Sequence, residues 1–243
     1  MVDYHFRFDI VWSNFGFLLS GVGITLYLAL MTMVLGTFVG IIVAVVRLTR
    51  IKVLSYPVTL YVEFFRGTPA LVQIVWIYYC LPILTGLQIS GIVSVVLAMA
   101  LNTGAYMSEV FRAGIQGIDK GQREAALSVG MSRVQAFTRI ILPQAAYRMI
   151  PAAGNVFVSA IKLSSLASVV GMNELMRQGQ SLITYSFRPL EIFTVVAVMY
   201  FVMTYTASLF LMYLEYRFAW RKRVPFEWRK AFRMMKRPEG QEV

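Results

Sequence analysis

The chain of 243 residues holds one cysteine, Cys80, one histidine, His5, and only 12 acidic residues. Each scarcity removes a class of chemistry. A lone cysteine cannot close an internal disulfide. A lone histidine excludes a histidine-based metal cluster and a Ser-His-Asp triad within this chain, so neither a catalytic nor a metal-ligating set is assigned. No G-x-x-x-x-G-K-[ST] phosphate loop occurs, so the chain does not bind and hydrolyse ATP by that route. Charge is missing over long stretches as well. Phe15 to Val46, Gly67 to Ser108 and Ile192 to Leu214 carry no Asp, Glu, Lys or Arg, and between Met149 and Asn173 the only charge is Lys162.

What fills the space is apolar: 58% of residues are hydrophobic and 14% charged. A span needs about 20 apolar residues, so the 42 residues from Gly67 to Ser108 hold two. The chain reads as an all-α integral membrane protein, helical because backbone groups in lipid must be satisfied within the segment. Five transmembrane helices are expected, at about 15–46, 69–84, 89–107, 149–171 and 192–214, in a single transmembrane domain covering 1–243. The mixed charge of Asp3, His5, Arg7 and Asp9 and the length of the first apolar run argue against a secretory signal peptide.

Five spans put the termini on opposite sides. Nineteen Lys and Arg fall on one side, nine of them in the tail at 215–243, and three (Arg7, Arg177, Arg188) on the other. Basic residues concentrate in cytoplasmic loops, so the N-terminus is expected outside and the C-terminus in the cytoplasm. The net charge of +11 therefore calls for lipid rather than nucleic acid. In the tail, Trp228, Phe232 and Met235 fall on one helical face among basic residues, which suits either a helix on the anionic inner leaflet or an irregular basic anchor.

One cytoplasmic loop, 119–143, carries six charges, Asp119, Lys120, Arg123, Glu124, Arg133 and Arg139. At roughly 2.5–3.5 kcal/mol each, they cannot sit in the bilayer centre. Asp119 with Gln122 and Ser132 with Gln135 form capping-box patterns that open two short helices. Gly130 between them suits a left-handed residue. Val134, Phe137, Ile140 and Ile141 recur at helical spacing, and Pro143 marks the end of the second helix or the start of the next span. Such a knob either packs on its own spans or docks a partner.

These residues carry a resemblance. Glu124, Ala125, Ala126, Gly130, Ile140, Leu142 and Pro143 match the fixed positions of the EAA motif of ABC importer permeases. "FFRGTPALVQIVWIYY" (64–79), "LNTGAYMSEVFRAGIQGI" (101–118) and "SSLASVVGMNEL" (164–175) resemble the polar amino-acid uptake subfamily, which carries histidine, arginine, glutamine, glutamate or opines. The resemblance implies a type I importer permease in a bacterial inner membrane, multi-pass and not an enzyme. It implies that those seven residues form an ATPase-coupling element. Its partners would be cytoplasmic ATP-binding subunits, a second permease subunit (itself or a paralogue) and an external solute-binding protein. This chain would bind no cofactor of its own, with ATP and Mg on the partner ATPase.

Lys162 is the candidate substrate contact. An intramembrane cation faces a polar cavity or partner, or else snorkels to the interface. Beside Ser164 and Ser165 it would suit a carboxylate. Relatives often place Asp or Ser after this lysine, where this chain has Leu163, which disfavours a cationic substrate. Asn102 is a second path candidate, or else a helix–helix hydrogen bond. Glu109 with Arg112 and Glu63 with Arg66 are expected to pair along helices. Gly36 and Gly40 read as close helix packing and Thr68-Pro69 as a helix start. Two rival readings remain at this stage: a channel or secondary transporter working without an ATPase, and a membrane enzyme, which would need convergent catalytic groups that the spans do not offer.

Overall fold

A computed structural model describes residues 5–49 and 51–218, and the amphipathic reading of the tail lies outside them. The described chain is helical, without strands. In order come α1 (Asp9–Ser13), α2 (Phe15–Leu48), α3 (Lys52–Gly67), α4 (Ala70–Thr85), α5 (Gly91–Gln116), α6 (Lys120–Ser128), α7 (Arg133–Val170), α8 (Leu175–Ser186) and α9 (Pro189–Phe218). Four of these, α2, α5, α7 and α9, are long and apolar enough to cross a membrane. The bent pair α3 and α4 supplies a fifth span if taken as one.

The centre of the bundle is α2 laid along α5. Small residues let the two approach. A Cβ on Gly36 would lie 2.7 Å from Thr103 Cγ2, and one on Gly40 would lie 2.7 Å from Met107 Cβ. Both contacts advance in the same direction along the two helices, so α2 and α5 run parallel. Gly36 and Gly40 are thus packing residues, as their spacing indicated. Leu28, Ile74, Val95, Ala98 and Ala167 then close a core between α2, α4, α5 and the end of α7. A second core, with Val11, Leu18, Leu175 and Ile192, clamps α1 and α8 onto α2 and α9.

Several elements depart from the expectation. The second span was expected only at 69–84, whereas a helix of 16 residues, α3, precedes it and joins it across the break. Its charges, Lys52, Glu63 and Arg66, sit near the ends of an apolar stretch, so a charge-free window misses it. It meets α4 at 109° across Thr68-Pro69. Pro69 cannot donate to α3, and it forces Thr68 into extended backbone (φ −111°, ψ 145°), so the helix has to break there. α5 runs past Met107 to Gln116, and α7 begins well before Met149. α8 was also unforeseen. It is polar, but Glu174 caps it by accepting from Met176 N and Arg177 N, both at 2.8 Å. Gly86 ends α4 in the left-handed region at φ 69°.

Candidate functional site

Two places in the fold gather the residues of interest. The first is a cavity of about 570 Å³ between the α3–α4 break, α5 and α7. The break contributes Thr68, Pro69 and Ala70; α5 contributes Asn102, Thr103 and Tyr106; α7 contributes Asn155, Ser159 and Lys162. Asn155, Ser159 and Lys162 are exposed and spaced four and three residues apart, so one face of a membrane-crossing helix is polar. Polar atoms at that depth require water, substrate or another subunit. Lys162 is the single charged residue in the cavity wall among the described residues. No ion pair to it forms among the described residues.

Lys162 and Asn102 are therefore brought to one cavity, and two other candidates are not. Ser164 is fully buried, and its hydroxyl donates to Ile161 O at 2.7 Å. Ser165 donates to Lys162 O at 2.7 Å and stays out of the lining. Ser164 stands two positions after Lys162, about 200° around the helix and so on the opposite side, and the Ser165 hydroxyl is turned back onto the backbone of the preceding turn. Asn155, Ser159, Thr103 and Tyr106 escaped the sequence reading. The signal for the first two was the four-then-three spacing ahead of Lys162.

Asn102 makes the helix–helix hydrogen bond considered for it and also faces the cavity. It lines the cavity, and its Nδ2 donates to Phe65 O at 3.0 Å and to Gln73 Oε1 at 2.9 Å. Glu109 is not available to Lys162. Its carboxylate accepts from Arg47 and, at 2.6 Å, from Arg112 Nη2, which confirms the Arg112 pairing and adds a tie to α2. Arg66 lies 4.0 Å from Glu109 and 5.5 Å from the centre of the Tyr106 ring, so the expected pair with Glu63 does not form.

The second place is the knob of α6 and the start of α7. Asp119 caps α6 by accepting from Gly121 N at 2.6 Å. The reciprocal arm expected from Gln122 is absent, because Gln122 accepts instead from Gln144 at 3.3 Å. Gly130 sits at φ 83°, and Met131 N donates to Ala126 O while Gly130 N donates to Leu127 O, so a Schellman-type turn closes α6. Ser132 and Gln135 form both arms of a capping box. A π-turn at Phe137–Ile141 follows and splits the apolar face expected there. Ile141 packs against the Ile118, Ala145 and Met149 cluster, whereas Val134 stays 70% exposed. Pro143 lies in the first turn of the long helical segment that follows. Glu124, Ala125, Leu142 and Pro143 are exposed, Ile140 is partly buried, and Ala126 is buried beneath the knob. Leu127 and Val129 add exposed apolar surface outside the spans, and Phe137 adds more at the very start of α7.

Similar architecture and sequence occur in known transport proteins. The chain is 36% identical to a solved structure described as an amino acid ABC transporter with histidines, with a TM-score of 0.84, covering 88% of this chain and all of that one. At 18% identity and a TM-score of 0.66, an inward-facing MetNI methionine ABC transporter shares the fold. The probable amino-acid permease protein YxeN of Bacillus subtilis (strain 168) is 39% identical over 81% of this chain and 89% of its own length. The glutamine transport system permease protein GlnP of Escherichia coli (strain K12) is 36% identical over 87% and 97%. Residues 36–220 match the family model, from the second half of α2 to beyond α9. The chain belongs to the family of binding-protein-dependent transport system inner membrane components, and is a translocation subunit rather than an enzyme.

Proposed function

We propose that this chain is the permease of an ATP-driven importer for a polar amino acid or a related carboxylate compound. An external solute-binding protein delivers the substrate, and two permease subunits, this chain with itself or a paralogue, enclose the path. Cytoplasmic ATP-binding subunits carry ATP and Mg. The setting is a bacterial inner membrane, with the N-terminus outside and the knob in the cytoplasm. The observation that carries the reading is the cavity in which Lys162 stands as the single charge, on a polar helix face beside Asn102. A lone cation there attracts a carboxylate and repels a second cation, so neutral or acidic amino acids fit better than basic ones. Relatives with names that include glutamine, cystine and octopine transport support the substrate class.

The coupling role goes to Glu124, Ala125, Ala126, Gly130, Ile140, Leu142 and Pro143. Support comes from the doubly capped knob, which holds exposed apolar side chains outside the spans. The test is Gly130→Asp, followed by co-purification with the ATP-binding subunit and uptake of labelled amino acids. Joint loss of the ATPase and of uptake, with normal insertion, is expected. Undiminished uptake would reject the coupling role and favour a permease working alone.

A further inference from the structure

The break between α3 and α4 sits beside the cavity and leaves the last carbonyls of α3 without helical partners. Inside a membrane such carbonyls need internal donors. Gln73, buried in α4, supplies them. Its Nε2 donates to Phe65 O at 2.9 Å, to Thr68 Oγ1 at 2.7 Å and to Thr68 O at 3.1 Å. Its Oε1 accepts from Asn102 Nδ2. The second Nδ2 hydrogen of Asn102 goes to Phe65 O, so the whole donor capacity of that amide is spent on the break.

This leaves Asn102 Oδ1. No described residue donates to it, and the single sealed-in side-chain polar atom without a partner among the described residues is Thr32 Oγ1. Asn102 Oδ1 is therefore not sealed in, and Asn102 lines the cavity that also holds Lys162. The amide cannot be turned over, because its oxygen would then face Gln73 Oε1 and Phe65 O, two acceptors.

We propose that Gln73 is a positioning residue that locks Asn102 with its oxygen toward the cavity, where that oxygen accepts the substrate's ammonium group while Lys162 takes the carboxylate. The proposal rests on the amino-acid reading above. The two contacts together read the zwitterionic head of an α-amino acid and leave the side chain unspecified.

The test reconstitutes the permease with its ATP-binding subunits and binding protein and measures uptake of each of the twenty labelled L-amino acids. For whichever one the unmodified complex carries, Gln73→Leu should lower the rate about 10–100-fold while the complex still assembles, as expected for a misdirected hydrogen bond to a charged group. In an Asn102→Asp background both side-chain oxygens accept, no orientation is needed, and adding Gln73→Leu should cost less than about 3-fold. Equal losses in the two backgrounds would overturn the proposal and reduce Gln73 to a closure of the helix break. If Asn102→Asp fails to insert, Asn102→Leu replaces it: Gln73→Leu should then lower uptake no further, and multiplied losses would overturn the proposal. Where the unmodified complex carries none of the twenty, labelled cystine and octopine are tested in their place, and a complex that carries none of these either would overturn the amino-acid reading itself.

Discussion

Tyr200, in the middle of α9, donates its hydroxyl to Glu174 Oε2 at 2.7 Å. That carboxylate also caps α8, so one buried acid ties the outer helix to the last span. Removing it with Glu174→Ala orphans two backbone donors and a phenol. The expected cost is roughly 1–3 kcal/mol, seen as a lower melting temperature of the purified protein. Glu174→Gln keeps two of the three acceptor contacts and should recover part of the loss.

The same residue sets a pH dependence. Burial pushes the Glu174 carboxyl above its ordinary value, opposed by the hydrogen bonds from Met176, Tyr200 and Arg177. A carboxyl raised in the folded state favours the fold while protonated. Its contribution is present below the ordinary Glu value and is lost as pH rises through the raised one. Thermal stability should therefore fall across that window, and the Glu174→Gln protein should show a flatter profile.

Close packing of α2 on α5 makes a paired prediction. Gly36→Val places a Cβ 2.7 Å from Thr103 Cγ2, whereas nothing lies within 4 Å of a Cβ at Gly23 in the same helix. The first change should destabilise by about 1–3 kcal/mol and the second should be near neutral within this chain. Comparing the two melting temperatures checks the register of α2 against α5.

Thr32 is fully buried, and its hydroxyl finds no partner among the described residues. Thr32→Val keeps the shape and removes the orphaned polar group. It should be neutral or stabilising by up to about 1 kcal/mol, with transport unchanged. A clear loss of stability would mean that the hydroxyl is satisfied in the assembled membrane complex.

Lys162→Met retains the length of the side chain and removes the charge. Uptake should fall about tenfold or more while insertion and assembly persist, and Lys162→Arg should retain part of the rate, since a cation remains. Equal uptake by Lys162→Met and the unmodified protein would remove this lysine from the path.

Much of this protein was determined by sequence alone. Membrane residence follows from hydropathy, because charges in hydrocarbon are too costly for apolar runs of this length to mean anything else. The turn at Gly130 and the capping box at Ser132 and Gln135 were legible because they depend on neighbours within four residues. Tertiary structure decided what depends on distant partners. Asp119 kept its cap, but Gln122 turned away to Gln144, a residue 22 positions on. Ser164 stands on the side of its helix opposite Lys162, and its burial depends on the packed bundle around it. The α3–α4 break was signalled by Pro69, yet its 109° angle is held by Gln73 and by Asn102, which lies 29 residues further along. Local rules act through backbone geometry that the sequence carries with it. A cavity exists only where helices distant in sequence leave a gap: the spacing of Asn155, Ser159 and Lys162 marks a shared helix face, but the partner helices decide that this face lines a cavity.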